Sequence, residues 1–259
     1  MALLHVDYHS QVLDCDMQMD VILPEQTVGQ IGMAGYDGGE KWKTLYLLHG
    51  MSDDHTIWQR RTSVERYAAE KGIAVVMPTT RLGWYTDMAE GPKYFTATAI
   101  ELPQICRRLF PRMSHRREDT YAAGLSMGGY GALKFGLRAP QVYSRVASLS
   151  GAVDMVDHGF YGNIAYWEII FGPYDQLAGS FNDLMAAATE MKDSPLRPDV
   201  YMWCGTEDFL IRSNHNMRDH LRALGYSLTY EESPGDHQWK YWDQKIQTVL
   251  NWLIPEKEA

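Results

Sequence analysis

Six short apolar runs, most of them separated by room for a helix, constrain this chain more than any other feature. They are "KTLYLLHG" (43–50), "GIAVVMP" (72–78), "TYAAGL" (120–125), "RVASLSG" (145–151), "DVYMWCG" (199–205) and "SLTYEES" (227–233). Helical patterns lie near 56–70, 96–109, 127–138 and 213–224. A last helix follows, with Trp239, Trp242, Ile246, Val249 and Leu253 on one face and Pro255 just beyond. Strands alternating with helices predict a mostly parallel sheet covered on both faces. Upstream, "DCDMQMDVIL" (14–23) alternates polar and apolar residues and reads as a half-exposed strand, while the five glycines of 28–40 read as a loop. No repeat or linker interrupts the pattern, so residues 1–259 are expected to form one α/β domain.

In such a sheet, ligands gather at the carboxyl ends of the strands. One strand end carries "GLSMG", residues 124–128, with an apolar run before it and a helical pattern after it. Strand, sharp turn and helix are the setting of a nucleophile elbow, and G-x-S-x-G is its pattern. Glycine on either side of Ser126 relieves crowding in a strained turn, and the helix start offers free N–H groups to negative charge. The plainer alternative is a glycine-rich turn with a solvated serine.

A serine nucleophile needs a base, and the base needs an acid, in the chain order Ser, Asp or Glu, His. His237 falls in the short loop between the last strand and the last helix. His215 and His220 fall within a helical pattern, and His158 falls in a long insertion. His237 is therefore the expected base. For the acid, Glu207 and Asp208 both follow the strand "DVYMWCG", and Asp236 adjoins the histidine. Asp208 is preferred: Asp236 is a sequence neighbour that would point at His237 poorly, and Phe209-Leu210 can anchor the Asp208 loop. The oxyanion donors are expected to be the backbone N–H groups of Met127, after the nucleophile, and Met51, in the turn after "YLLHG". His49 ends a buried strand and reads as structural.

Residues 154–195 separate two strands by more than one helix requires and carry Phe160, Tyr161, Tyr166, Trp167, Phe171 and Tyr174. The segment is expected to be a lid or pocket wall, with Trp167 and Phe171 closing the acyl pocket, or else extra helices on the core. Trp84 and Tyr85 also follow a strand, and either line the pocket or pack under their loop.

Composition removes several other classes. Net charge is −9 and basic pairs such as Arg116-Arg117 stand isolated, so nucleic acid is not an expected partner. Cys15, Cys106 and Cys204 are scattered and form no CxxC pair, which suits a reducing compartment. No metal-ligand spacing and no membrane-length apolar run appears. The first residues, "MALLHVDYHSQVLD", lack a signal-peptide pattern, and the expected location is the cytoplasm.

Taken together, "YLLHGMSDDHTIWQRRTSVERY", "VVMPTTRLGWYTDM", "ELPQICRRLFP", "AAGLSMGGYGALK", "YWEIIFG", "WCGTEDFL" and "DHQWKYWD" resemble the esterase D-like α/β-hydrolases, and within them the bacterial tributyrin esterase branch. The resemblance implies Ser126, Asp208 and His237 as nucleophile, acid and base, and Met51 and Met127 as oxyanion donors. It also implies hydrolysis of short-chain acyl esters without metal or cofactor, and a dimer or tetramer. The S-formylglutathione hydrolases are similar relatives, but they carry a cysteine soon after the oxyanion-loop glycine where this chain has "GMSDDH". Deacetylation of sugars or xylan fragments is the other alternative within the same chemistry.

Overall fold

The computed structural model describes residues 1–29, 31–160 and 162–255. Eight strands form one sheet: β1 (Ala2–Ser10), β2 (Cys15–Leu23), β3 (Thr44–Leu48), β4 (Ala74–Pro78), β5 (Thr120–Leu125), β6 (Arg145–Leu149), β7 (Asp199–Gly205) and β8 (Leu228–Ser233). Their spatial order is β1-β2-β4-β3-β5-β6-β7-β8. The β1–β2 and β2–β4 pairs are antiparallel, and every other pair is parallel. The α-helices are α1 (Ile57–Arg61), α2 (Val64–Lys71), α3 (Leu102–Leu109), α4 (Met127–Arg138), α5 (Met155–His158), α6 (Ile164–Phe171), α7 (Leu184–Glu190), α8 (Ile211–Ala223) and α9 (Trp239–Leu253).

The central strands are buried on both faces, which is why they read as unbroken apolar runs. Alternate residues serve two cores. Tyr46, Leu48, Val76 and Ala122 pack with Leu133 and Phe135 of α4 on one face. Leu45, Leu47, Val75 and Ala123 pack with Trp58 and the Trp242, Ile246, Val249 face of α9 on the other.

Three local features differ from the sequence reading. Residues 2–10, given no secondary structure above, form strand β1, with Leu4, Val6 and Tyr8 turned inward and Leu3, His5, Asp7 and His9 outward. The pattern expected as one helix over 56–70 is two helices, because the Thr62 hydroxyl takes the Trp58 carbonyl and caps the Val64 N–H. The pattern over 96–109 begins as a π-helical segment, Thr96–Glu101. Pro103 has no N–H to give the Ala99 carbonyl, which instead accepts from the Tyr143 hydroxyl at 3.2 Å.

Candidate active site

Ser126 stands between β5 and α4 with φ 53° and ψ −118°, a conformation a non-glycine residue holds only when its surroundings enforce it. The enforcement is visible in the backbone. The Ser126 N–H donates to Leu149 O at 3.0 Å, and Ser126 O accepts from Tyr130 N and Ala152 N. The flanking glycines are required by close approach. A Cβ on Gly124 would lie 2.3 Å from Gly128 O, and one on Gly128 would lie 2.5 Å from Leu48 O. The turn therefore lodges against the end of β3, and the serine side chain stays partly exposed.

The turn after β7 places Asp208, and the loop after β8 places His237, at the same edge of the sheet. Asp208 Oδ2 lies 2.8 Å from His237 Nδ1. A carboxylate oxygen accepts, so in this contact His237 Nδ1 is the donor. The Asp208 side chain is 0% exposed, and its Oδ1 accepts from Leu210 N at 2.9 Å. The His237 ring is held between Phe209 and Trp242, with centroids at 4.7 and 4.8 Å. Trp242 Nε1 in turn donates to Ser150 Oγ, and Ser150 N to Trp203 O, so the His237 ring is supported from the ends of β6 and β7.

The other two carboxylates face elsewhere. Glu207 accepts from the Gly235 N–H and the Thr206 hydroxyl, contacts that hold its carboxyl below the usual range. Its own N–H donates to Gly235 O at 3.0 Å, so Glu207 stitches the Asp208 turn to the His237 loop. Asp236 accepts from Gln238 Nε2. Among the other histidines, His215 pairs with Glu232, and His220 meets Thr189 and Met185 O.

Met51 lies in the turn after β3 and Met127 is the first residue of α4; among the described residues neither N–H donates to a backbone carbonyl. The Met51 side chain is exposed, and its Sδ lies 3.9 Å from the Tyr166 hydroxyl. Trp84, Trp167 and Phe171 are buried together with ring centroids 5.2–6.1 Å apart, and Trp84 Nε1 donates to Tyr166 Oη. Tyr85 does not share that cluster: it is packed beneath its loop, wholly buried, with its hydroxyl on His49 O. The insertion folds as α5, α6, a 3-10 turn and α7, and Tyr161 lies outside the described residues. Burial drives His49 down to about 4, and both of its ring nitrogens are engaged, Nδ1 with Gly50 O and Nε2 with Thr80 N. Among the described residues, no group of three or more His, Cys, Asp or Glu side chains is placed to hold a metal ion, and no helix is long and apolar enough to cross a membrane.

Several supporting residues escaped the sequence reading. Phe209 reads only as a loop anchor, Ser150 only as part of the run 145–151, and Lys134 only as a position in the helical pattern 127–138. Lys134 is fully buried, with Nζ 2.6 Å from Thr86 Oγ1 and 2.5 Å from Asn182 Oδ1. Burial pushes its amine far below the usual lysine range. A lysine on a helix carries no local signal of burial, and its two partners each lie 48 residues away.

The family model named Esterase matches residues 10–253. An acetyl esterase of Caldicellulosiruptor saccharolyticus is 30% identical over 265 residues, covering 98% of each chain. The substrate-bound fluorophosphonate-binding serine hydrolase F of Staphylococcus aureus superposes with a TM-score of 0.87 at 31% identity, over 98% of this chain and 99% of that one. An S-formylglutathione hydrolase from the same organism gives 0.84 at 32%, over 98% of both. With the sheet order, the elbow and these likenesses together, the chain belongs to the Esterase family and has the α/β-hydrolase fold.

Proposed function

We propose that this protein is a serine carboxylesterase that hydrolyses short-chain acyl esters through Ser126, His237 and Asp208. The observation that carries the reading is the 2.8 Å contact of buried Asp208 with His237 Nδ1, at the sheet edge where Ser126 holds its strained turn. Ser126 Oγ attacks the ester carbonyl carbon while its proton passes to His237 Nε2. The carbonyl oxygen becomes an oxyanion and takes hydrogen bonds from the Met51 and Met127 N–H groups. Collapse breaks the C–O bond to the alcohol, which leaves with the proton from His237. Water then repeats the sequence on the acyl-Ser126 ester, releasing the acid and restoring the serine.

The acetyl esterase relative supports a small acyl group, and the aromatic cluster of Trp84, Trp167 and Phe171 supplies material for a closed acyl pocket. The reading includes a homo-oligomer, as the family resemblance implies, in the cytoplasm, which the scattered unpaired cysteines suit. Its test is a panel of p-nitrophenyl esters of rising acyl length, run beside acetylated sugars and S-formylglutathione, on wild type and Ser126→Ala. Rates should peak between acetyl and roughly hexanoyl, since each buried methylene contributes at most ~0.8 kcal/mol before a closed pocket excludes the chain. Ser126→Ala should lose turnover and fluorophosphonate labelling together. Activity well above background in that variant, with its fold intact, would overturn the assignment.

A further inference from the structure

Strand β3 ends at Leu48, and the next three carbonyl oxygens, Leu48 O, His49 O and Gly50 O, are each taken by a buried side chain. Trp58 Nε1 donates to Leu48 O at 3.0 Å. The Tyr85 hydroxyl donates to His49 O at 3.0 Å. His49 Nδ1 lies 2.7 Å from Gly50 O. The far nitrogen of the same ring, Nε2, is 3.0 Å from Thr80 N. A backbone amide can only donate, so Nε2 accepts, Nδ1 bears the hydrogen, and Nδ1 donates to Gly50 O. The backbone just after β4 thus dictates the tautomer of a ring that holds the turn after β3.

The consequence lies in one peptide plane. A trans peptide points its C=O and N–H in opposite directions. With the Gly50 carbonyl drawn toward the His49 ring, the Met51 N–H is aimed the other way. Tyr85 links this plane to the second donor. Its hydroxyl holds His49 O, while its ring packs on α4 so closely that a Cβ on Gly131 would lie 2.5 Å from it. The carbonyls that Trp58 and Tyr85 hold are also the ones against which Gly128 rests, where a Cβ would be 2.5 and 2.6 Å away. The arrangement is strained as well as packed: Arg81, Trp84 and Tyr85 have φ of 49°, 51° and 49°. Backbone strain of this kind persists only where the surroundings over-determine it.

We infer that Tyr85 and His49 are positioning residues for the oxyanion site: they fix the Gly50–Met51 peptide so that its N–H is in register with that of Met127. The inference rests on the proposed serine mechanism and on Met51 and Met127 as its donors. Neither residue touches substrate; both act through the backbone. An oxyanion donor is worth 10²–10³ in kcat, so a misdirected donor should forfeit part of that.

The test compares Tyr85→Phe, His49→Ala and His49→Asn with wild type on p-nitrophenyl acetate, with inhibition by phenylboronic acid, whose adduct on serine is tetrahedral. Tyr85→Phe keeps the ring against Gly131 and removes only the hydroxyl. It should lower kcat by about 10-fold or more, weaken the boronate by a similar factor, and leave KM near wild type, the pattern of an interaction made in the transition state. His49→Ala should lose more, and His49→Asn, which restores an N–H near the Nδ1 position, should recover part of that loss. Unchanged kcat and boronate affinity in a folded Tyr85→Phe would overturn the inference, and so would a rise in KM alone, which would make Tyr85 a pocket wall. Tyr85→Phe decides the question even if the His49 variants do not fold. Failure of the underlying mechanism shows separately, as hydrolysis or labelling that survives Ser126→Ala.

Discussion

Two regions meet at the contact between Met51 Sδ and the Tyr166 hydroxyl, and they are built from different interactions. On one side, the strand-end loops carrying Ser126, Met51, Asp208 and His237 are held by directed hydrogen bonds of 2.7–3.3 Å to backbone carbonyls, amides and one buried carboxylate. On the other, α6 of the insertion meets its neighbours through ring packing among Trp84, Tyr130, Phe160, Trp167 and Phe171, with polar fastenings such as those at Tyr166, Asn182 and the Ile169 and Ile170 carbonyls. Directed bonds fix atoms to within tenths of an ångström. Ring packing fixes shape and volume. Reaction chemistry needs the first and acyl selection needs the second, so substitutions in the two regions should fail differently.

The largest effect tests the directed side. Asp208→Asn keeps the shape but offers the wrong donor to His237 Nδ1. It should lower kcat by about 10⁴ with little change in thermal unfolding, because the imidazole then rests in the wrong tautomer. Glu207→Gln should fall far less, since the amide oxygen can still accept from the Gly235 N–H that now meets the Glu207 carboxylate. Steady-state kinetics on p-nitrophenyl acetate check both. A larger loss in Glu207→Gln would break the distinction between the acid and the stitch beside it.

The insertion side should answer in stability and chain length. Trp167→Ala removes a buried ring and should destabilise the fold by about 3–5 kcal/mol. If that ring walls the pocket, the acyl-length optimum should move to longer chains. Lys134→Ala should cost about 2–3 kcal/mol, leaving Asn182 Oδ1 and Thr86 Oγ1 short of a donor. A neutral amine has two N–H groups for these two oxygens, which suits its depressed ionisation. Because the unfolded chain binds that proton more readily, wild-type stability should rise with pH through the window between the lowered folded pKa and the ordinary lysine value, and this slope should vanish in Lys134→Ala. Calorimetry across pH, beside kcat for acetyl esters, checks the pair. A collapse of kcat at unchanged Tm would place these residues with the directed side instead.

The same contrast explains what could be read in the sequence. The residues at strand ends announced themselves, because a parallel sheet fixes where loops emerge and short motifs such as "GLSMG" and "WCGTED" are local. Of Glu207, Asp208 and Asp236, loop position favours Asp208, and Asp208 is the one that the fold brings within hydrogen-bonding distance of His237. Strand β1 carries a sequence signal as well, since Leu4, Val6 and Tyr8 alternate with His5, Asp7 and His9. What stayed hidden depends on contacts distant in sequence. Tyr85 could line a pocket or pack beneath its loop, and only the position of Gly131 and His49 O decides it. Thr62 splits a helix through a side-chain bond that propensity does not register.

The smallest effect concerns a charge that the Met51 loop carries at a disadvantage. Asp53 N donates to Gly50 O at 3.3 Å, and its carboxyl lies beside Gly50, where Oδ2 would be 3.2 Å from a Cβ. Burial, with neighbouring Asp54 adding to it, raises Asp53 to about 6, against the lowering pull of Arg61 and Arg60. The sign follows directly. The folded protein holds this proton up to pH of about 6, and the unfolded chain releases it near the ordinary aspartate value of about 3.9. Between these values the folded state binds more protons, so stability falls as pH rises, and above them the penalty is complete. Half-exposure screens it to under about 1 kcal/mol. Asp53→Asn should therefore raise Tm by about 2 °C at pH 7.5 and leave it unchanged near pH 4. An ionised carboxylate on this loop also opposes a developing oxyanion, so kcat/KM at pH 7.5 should rise slightly in the variant. Equal Tm for the two proteins at pH 7.5 would mean that water reaches the Asp53 carboxylate freely, and the loop would then owe its geometry to the His49 and Tyr85 bonds without working against a buried charge.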